Sequence, residues 1–334
     1  MERFRRLWPF FGWLALFYGA WLTVVLAGGW LDTALAHWPM AAAMAVGSYL
    51  AGSTPMGGGT VGFPVLVLMM DMPATLGRDF SFAIQAVGMT SASIYILCRR
   101  QELEWPMLRA ALPGALLGTP LGIAFVAPLA SDLFIKLLFA SMWCSFGLLH
   151  LRRINEITSY KGMTPHDVTF DHRVGFVVGF FGGLTVASIT GVGIDMFIYM
   201  VLVLWCHADL KIAIPTSVVL MAFTSVVGVT AKLLLGGLQP GTFENWLAAA
   251  PVVALGAPFG AMVVSRVGRR PTLIIVSILC VLQFLWTLVH ERAALNAWSL
   301  AAALLGVVVF LLVFQDMYRH GYRLARRQRT APTG

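Results

Sequence analysis

The stretch that decides the fold reads Met56-Gly57-Gly58-Gly59-Thr60-Val61-Gly62-Phe63-Pro64-Val65-Leu66. Three consecutive glycines stand directly before an apolar run that is shorter than the roughly 20 residues needed to cross a bilayer. Glycine permits backbone conformations that other residues avoid, and its missing side chain lets a ligand approach the main chain. Broken backbone of this kind is tolerated in a membrane only where protein covers it or where it lines a cavity. The stretch therefore predicts a short helix that begins inside a membrane protein.

The composition of the whole chain supports this interpretation. Of the 334 residues, 59% are hydrophobic and only 11% are charged, whereas soluble domains have about 25% charged residues. This excludes a soluble enzyme, a disordered chain and a disulfide scaffold. The net charge of +8 comes from short basic clusters between apolar runs, so we do not expect nucleic acid as a partner. Four cysteines lie in or beside apolar stretches without metal-ligand spacing, and we expect neither a bound metal nor a cofactor. They are Cys98, Cys144, Cys206 and Cys280.

Twelve apolar segments predict an all-α polytopic membrane protein. Segments 61–73 and 194–206 are short, and each follows a glycine cluster. The first segment is longer than the core of a signal peptide, so we expect a retained helix, although Ala34-Leu35-Ala36 resembles a cleavage site. The segments are 9–31, 38–54, 61–73, 78–98, 106–128, 133–151, 173–190, 194–206, 211–235, 245–265, 271–290 and 295–316.

The basic residues predict the topology. If the chain starts in the cytoplasm and every segment reverses its direction, all 23 Lys and Arg residues except Arg78, Lys136, Lys232 and Arg292 fall on the cytoplasmic side. Such asymmetry is typical of inner or plasma membrane proteins. Each glycine-led pair must then be two crossings or one re-entrant hairpin, because a single crossing would place Arg99 and Arg100 outside. Both chain termini are predicted to be cytoplasmic.

The sequence also repeats itself. Val65-Leu66-Val67-Leu68 recurs as Val201-Leu202-Val203-Leu204, and Leu117-Gly118-Thr119-Pro120-Leu121-Gly122 recurs approximately at 255–260. Each repeat holds five segments, an odd number, so the two repeats are predicted to have opposite orientations. Inverted repeats of secondary transporters bind substrate between broken helices at matching positions. The predicted organisation is an N-terminal flanking helix (1–37), a first repeat (38–151), a cytoplasmic linker (152–172), a second repeat (173–290), and a C-terminal helix with a basic tail (291–334).

The two glycine clusters are candidate anion sites. A helix that begins after a glycine turn directs unpaired N–H groups and its positive dipole end at the turn. Close packing of helices through small residues is the alternative. The substrate-binding candidates are Gly57, Gly58, Gly59, Thr60, Ser81, Gln85, Gly191, Gly193, Thr216 and Ser217. Ser81 matches Ser217 at the offset of the repeat, although such hydroxyls often bond only to their own helix.

Charged and titratable residues near these segments leave alternatives open. Asp195 is a candidate for proton coupling, for a helix cap, or for an exposed loop position. The Arg78-Asp79 pair is predicted to be a local pair that reaches towards the membrane surface, with attraction of substrate as the alternative. All seven histidines lie at segment ends or in loops, so no buried histidine relay is expected.

With these features, residues 40–290 resemble the sulfite exporter TauE/SafE family. The resemblance is carried by the stretch from Met56 to Leu66, by Gly179–Gly183 with Gly191-Val192-Gly193, and by Lys211-Ile212-Ala213-Ile214-Pro215-Thr216-Ser217. It implies a secondary exporter of sulfite or an organosulfonate. The chain departs from the family pattern at Ile194-Asp195, which breaks the second glycine run, and at Phe80-Ser81, where a Thr-Ser pair is expected.

The resulting hypothesis is a proton-coupled secondary transporter that exports a small sulfur-containing anion across the lipid bilayer. A passive anion channel with the same pocket is the first alternative, and a carrier of another small anion is the second. A membrane-embedded assembly factor is a third. An intramembrane enzyme is not expected, because no metal-binding motif or paired carboxylates are present. Assembly into a homo-oligomer is left open.

Overall fold

The computed structural model describes residues 6–164, 166–267 and 269–330, and this described part is helical with no strand. Because Pro lacks an N–H group, it is well placed in a first helical turn, and four helices begin in this way. The helices are α1 (Trp8–Ala27), α2 (Leu31–Ala36), α3 (Trp38–Ser53), α4 (Gly59–Pro64), α5 (Ala74–Cys98), α6 (Trp105–Leu121), α7 (Asp132–Ile157), α8 (Val168–Gly182), α9 (Ile194–Met200), α10 (Leu210–Leu235), α11 (Thr242–Val267), α12 (Arg270–His290) and α13 (Ala297–Thr330).

Four helices continue into π-helical turns. These turns are Val65–Met69 after α4, Gly122–Val126 after α6, Gly183–Ala187 after α8 and Val201–Trp205 after α9. The first and the last lie in the two repeated Val-Leu runs, so the local geometry repeats where the sequence repeats. A further helical turn, Ser188–Thr190, extends α8 to the second glycine cluster.

Within the described residues, nine helices are long and apolar enough to cross a membrane. Two shorter apolar helices, Gly59–Met69 and Ile194–Trp205, are the segments that follow the glycine clusters. The predicted fold class, an all-α polytopic membrane protein, is therefore confirmed. The long stretches are Trp8–Ala27, Ala74–Cys98, Trp105–Leu129, Asp132–Ile157, Val168–Thr190, Leu210–Leu235, Thr242–Val264, Arg270–His290 and Ala297–Arg323.

Glycines bring the backbones of the two halves into direct contact. On α8, Gly179 faces the carbonyl group of Ala111 on α6, and a Cβ atom there would lie 2.8 Å from the carbonyl carbon. The pair α3 and α11 meets in the same way, with Gly52 against the backbone of Ala257. The first helix of each half thus packs against the fourth helix of the other half. Small residues are typical of such close contacts in membranes.

Helices α8 and α9 form a hairpin, called hairpin B here (168–205), that enters and leaves the bundle at one end. Thr164, just before α8, donates its N–H to the carbonyl oxygen of Cys206, just after α9, at 2.9 Å. The N–H of Asp209 bonds to the carbonyl oxygen of Gly162 at 2.6 Å. The two ends of hairpin B therefore lie side by side.

Helices α3 and α4 form the corresponding hairpin A (38–69). Its last residues lie beside the C-terminus of α12, because Asp71 contacts His290 at 3.0 Å. The start of α3 lies at this same end, since α3 runs parallel to α11 and Gly241, just before α11, faces Leu76 near the start of α5. Hairpin A therefore also enters and leaves at one end of the bundle.

The two hairpins open at opposite ends of the bundle. Helix α5 runs from the open end of hairpin A to Cys98, and a six-residue connection leads into α6. The backbone at Met107, near the start of α6, faces Gly175, near the start of α8. Both tips are buried, at residues 51–60 and 186–196, so each hairpin turns back inside the protein. This arrangement supports inverted repeats, whose orientation in a membrane stays a prediction.

Candidate functional site

The tips of hairpins A and B meet in the interior of the bundle. A Cβ atom on Gly59 would lie 2.6 Å from Val192 and 2.6 Å from the Ser81 Cβ atom of α5. Gly191 has a φ of +78° and Gly193 a φ of +102°, a left-handed conformation that favours glycine. Glycine is therefore required here both for close approach and for the backbone conformation.

Asp195 binds the backbone of both tips through its carboxylate. Its Oδ2 atom accepts the N–H of Gly57 at 2.7 Å, and its Oδ1 atom accepts the N–H groups of Gly193 at 3.2 Å and of Met196 at 3.0 Å. The residue is fully buried, so the interpretation as an exposed loop position is wrong. Asp195 thus caps the first turn of α9 and joins the two hairpins. The N–H groups of Gly57 and Gly193, which the sequence assigned to an anion, bind a carboxylate.

Gln85 of α5 holds the two tips from the other side. Its side-chain amide nitrogen donates to the carbonyl oxygens of Ser81 at 2.9 Å and Gly191 at 3.0 Å. These two acceptors fix the orientation of the amide, so its Oε1 atom faces Gly57. A Cβ atom on Gly57 would overlap Gln85 Oε1 and would lie 3.4 Å from Asp195 Oδ2. Oε1 is buried without a hydrogen-bond donor among the described residues.

Thr60 and Ser81, the predicted hydroxyl residues of the first half, differ in whether the hydroxyl group has a hydrogen-bond partner. Thr60 lies at the tip of hairpin A, and its hydroxyl oxygen is buried without a partner in the described part of the chain. Ser81 contacts both tips through its Cβ atom, whereas its hydroxyl donates to the carbonyl of Gly77 at 2.7 Å. Of these two, Thr60 is the one with a free hydroxyl for a ligand. Gly58 faces Met44 and Ala51 of α3. It therefore packs within hairpin A and does not face hairpin B.

The hydroxyl groups of Thr216 and Ser217 form hydrogen bonds with the backbone. The Thr216 hydroxyl donates to Ile212 at 2.7 Å and accepts the N–H of Glu104 at 2.9 Å. Ser217 donates to the carbonyl of Ile214, within its own helix, at 2.9 Å. Both residues are fully buried. A direct role in binding stays a prediction for this pair.

A buried cluster of charges lies next to Gly191 and was only partly predicted. Arg78 bonds to Asp79 at 2.8 Å, and Lys232 of α10 bonds to the same carboxylate at 3.2 Å. Arg78 is only 5% exposed; the expected local pair is present, and its reach towards the membrane surface stays a prediction. Its carbonyl group faces Gly191. Two cations against one carboxylate leave a net positive charge beside the tips.

His150 corrects the expectation that histidines occupy only segment ends and loops. It lies inside α7, is fully buried, and contacts the hydroxyl group of Tyr199 at 3.0 Å. Its Nδ1 atom lies 2.9 Å from the carbonyl oxygen of Phe146. His150 follows Phe146 by four residues and Gly147 by three, which places the three residues on one face of a helix. This spacing, with apolar residues around it in the sequence, was the signal that could have placed His150 inside the helix. No group of three or more metal-ligating side chains occurs in the described parts of the chain.

These features define a class of membrane protein in which two broken hairpins enter from opposite ends and meet at a polar centre. A model of the family described as "Sulfite exporter TauE/SafE" matches residues 40–287, and the chain belongs to this family. The resemblance stated from the sequence is thereby confirmed. Membership implies a membrane transporter that exports sulfite or another sulfur-containing anion. No curated protein and no solved structure matches the chain significantly.

Proposed function

We propose that the protein is a secondary active transporter that exports sulfite or an organosulfonate together with a proton. The substrate anion binds the N–H groups of Gly57 and Gly193 in place of the Asp195 carboxylate. The observation that carries this proposal is the buried carboxylate between the two hairpin tips, because it supports the ability of these amides to bind an oxyanion. Thr60 adds a hydroxyl donor, and the positive cluster at Arg78 and Lys232 attracts the anion.

Asp195 couples the anion to a proton in this proposal. An ionised Asp195 and a substrate anion compete for the same amides, whereas a protonated Asp195 can release them and donate its O–H group to Gln85 Oε1. Anion and proton therefore bind together. Divalent sulfite with one proton carries one net negative charge, and an inside-negative membrane potential drives that charge outward. A monovalent sulfonate with one proton is electroneutral, so its own concentration gradient drives its export.

The two halves give the proposed transporter its alternating access. Hairpin A lies in the first of two inverted repeats (38–151), and hairpin B lies in the second (173–290) except for its first residues. A cytoplasmic linker (152–172) joins the repeats, and the flanking regions 1–37 and 291–334 lie outside them. Movement of one repeat against the other exposes the site in turn to each side. The protein acts in the inner or plasma membrane with both termini in the cytoplasm.

The test uses the full chain reconstituted in vesicles with radioactive sulfite. An imposed pH gradient should drive sulfite against its own gradient in the direction of proton flow. A passive channel would only equilibrate sulfite, and that result would contradict the proposal. Gly57→Ala should abolish transport because its Cβ atom displaces Gln85. Gly19→Ala is the matched control, since a Cβ atom on Gly19 meets nothing within 4 Å.

A further inference from the structure

An apolar groove runs along the outside of hairpin A, between this hairpin and α12. Its volume is about 830 Å³, which is within the range of roughly 300–1,000 Å³ for sites that bind organic molecules. The wall formed by α12 is open to the surroundings, with Leu282 53% and Trp286 56% exposed. The walls include Leu50, Val61, Leu68, Leu279, Leu282 and Trp286.

The hairpin A side of the candidate anion site lines this groove at its inner end. Gly57 and Thr60 of the hairpin tip line it, and Gln283 adds a side-chain amide from α12. Thr60 is nine-tenths buried, and its hydroxyl oxygen has no partner among the described residues. The groove therefore has one polar end, where an anionic group can bind, and long apolar walls that lead from this end to the membrane.

We propose that the groove binds the apolar tail of an amphiphilic sulfonate whose charged group lies at Gly57 and Thr60. This rests on the proposed function and specifies its substrate class. Sulfite fills only a small part of a space of this size and has no apolar surface to place against the leucine walls. An alkyl tail gains about 0.8 kcal/mol for each methylene group that leaves water, which corresponds to about fourfold in affinity. The open α12 wall lets such a molecule enter sideways from the membrane.

The first test measures the fluorescence of Trp286 in vesicles. An alkanesulfonate with bromine at the end of its tail should quench Trp286, and excess sulfite should restore the fluorescence because both molecules need the same polar end. Trp286→Phe should lose this sulfite-reversible component. If sulfite restores nothing, or if Trp286→Phe behaves as the wild type, the groove holds lipid acyl chains and the proposal is wrong.

The second test compares two tryptophan substitutions on α12. Leu282→Trp narrows the groove, whereas Ile278→Trp lies outside its lining on a similarly exposed part of the helix. Inhibition of sulfite efflux is measured with methanesulfonate and octanesulfonate. Leu282→Trp should weaken inhibition by octanesulfonate about tenfold or more and leave inhibition by methanesulfonate unchanged. Ile278→Trp should change neither.

The outcomes separate this inference from the proposed function. If the wild type transports sulfite but Leu282→Trp leaves the preference for octanesulfonate intact, the tail site is wrong and the anion site stands. If Leu282→Trp instead changes only the oligomeric state, a second copy of the chain covers the groove, and the tail site is again wrong. If the wild type neither transports nor binds sulfite, the anion site itself fails.

Discussion

Asp195 places a carboxylate at the backbone amides that we propose as the anion site. A buried carboxylate is stable only when hydrogen bonds or opposite charges compensate its lost hydration, and here backbone N–H groups of both hairpins do so. The bond from Gly57 joins the two halves, whereas the bonds from Gly193 and Met196 lie within hairpin B. Removal of this carboxylate should have separate effects on stability and on anion binding.

The first prediction concerns Asp195→Ala. The variant leaves the N–H groups of Gly57 and Gly193 without an acceptor, at a cost of about 1–3 kcal/mol for each unsatisfied group, so the melting temperature should fall. Added sulfite should raise it again in a concentration-dependent way, because the anion replaces the carboxylate. Asp316→Ala is the control, since that carboxylate is exposed. If sulfite stabilises neither or both variants equally, the amides do not form the anion site.

A second prediction at this scale concerns proton coupling. In Asp195→Asn the side chain keeps an acceptor oxygen but can no longer bind and release a proton. We expect exchange of sulfite across the vesicle membrane to continue, while an imposed pH gradient no longer drives accumulation. Transport measured with and without the gradient checks this. Accumulation by the variant at the wild-type level would assign the proton to another group.

Glu104, which lies before the membrane-spanning part of α6, provides a third prediction. Burial, and secondarily the charge of Asp171, raises the pKa of Glu104. The folded protein then binds this proton more tightly than the unfolded chain, so stability is lost as the pH rises from the ordinary Glu value towards the raised one. Glu104→Gln removes this loss of stability, so the variant should melt a few degrees higher than the wild type at neutral pH. The two melting curves should converge in acid, and the exposed Glu102→Gln should show no such difference.

The sequence predicted which residue types surround the centre but not their partners. Gly57, Gly191 and Gln85 were assigned to the site, and the structure places them together. The bond between Gly57 and Asp195 spans 138 positions, and so distant a contact depends on how the whole bundle packs. The pairing of Lys232 with Asp79 was missed for the same reason, although each charge stood out in an apolar segment.

At the scale of elements, glycines determine how closely the helices pack. Gly179→Val should destabilise the protein by about 3 kcal/mol or more, because the new side chain meets the Ala111 backbone, which cannot move as a side chain can. Gly19→Val on α1 is the control, since a Cβ atom there meets nothing within 4 Å. The fraction of folded protein in a denaturant titration measures the difference. Equal stability of the two variants would contradict the packing described here.

Most helix boundaries could be predicted, because apolar length and glycine clusters are local properties. The segments 61–73 and 194–206 correspond to the short helices Gly59–Met69 and Ile194–Trp205. The charge pattern could not distinguish a re-entrant hairpin from two crossings, since both place the same residues on the same side. Burial of both tips favours re-entrant hairpins, and the sequence could not show it because it depends on contacts between elements that are distant in sequence.

At the scale of the molecule, the two hairpins are predicted to open on opposite sides of the membrane. Asp71 follows hairpin A and is exposed, and Lys211 follows hairpin B and is exposed. In a background without the native cysteines, Asp71→Cys and Lys211→Cys should react with an impermeant maleimide added from opposite sides. Reaction of both from the same side would contradict the inverted arrangement.

The first helix of each half packs against a helix of the other half, and this arrangement has a consequence for the synthesis of the protein. While the ribosome makes the first half, the glycine-lined face of α3 has no partner, because α11 is among the last helices to be translated. The nascent first half must therefore wait in the membrane with an incomplete interior, where it is open to chaperones and proteases. Either half expressed alone should be degraded, whereas halves separated within residues 152–172 and expressed together should rescue each other.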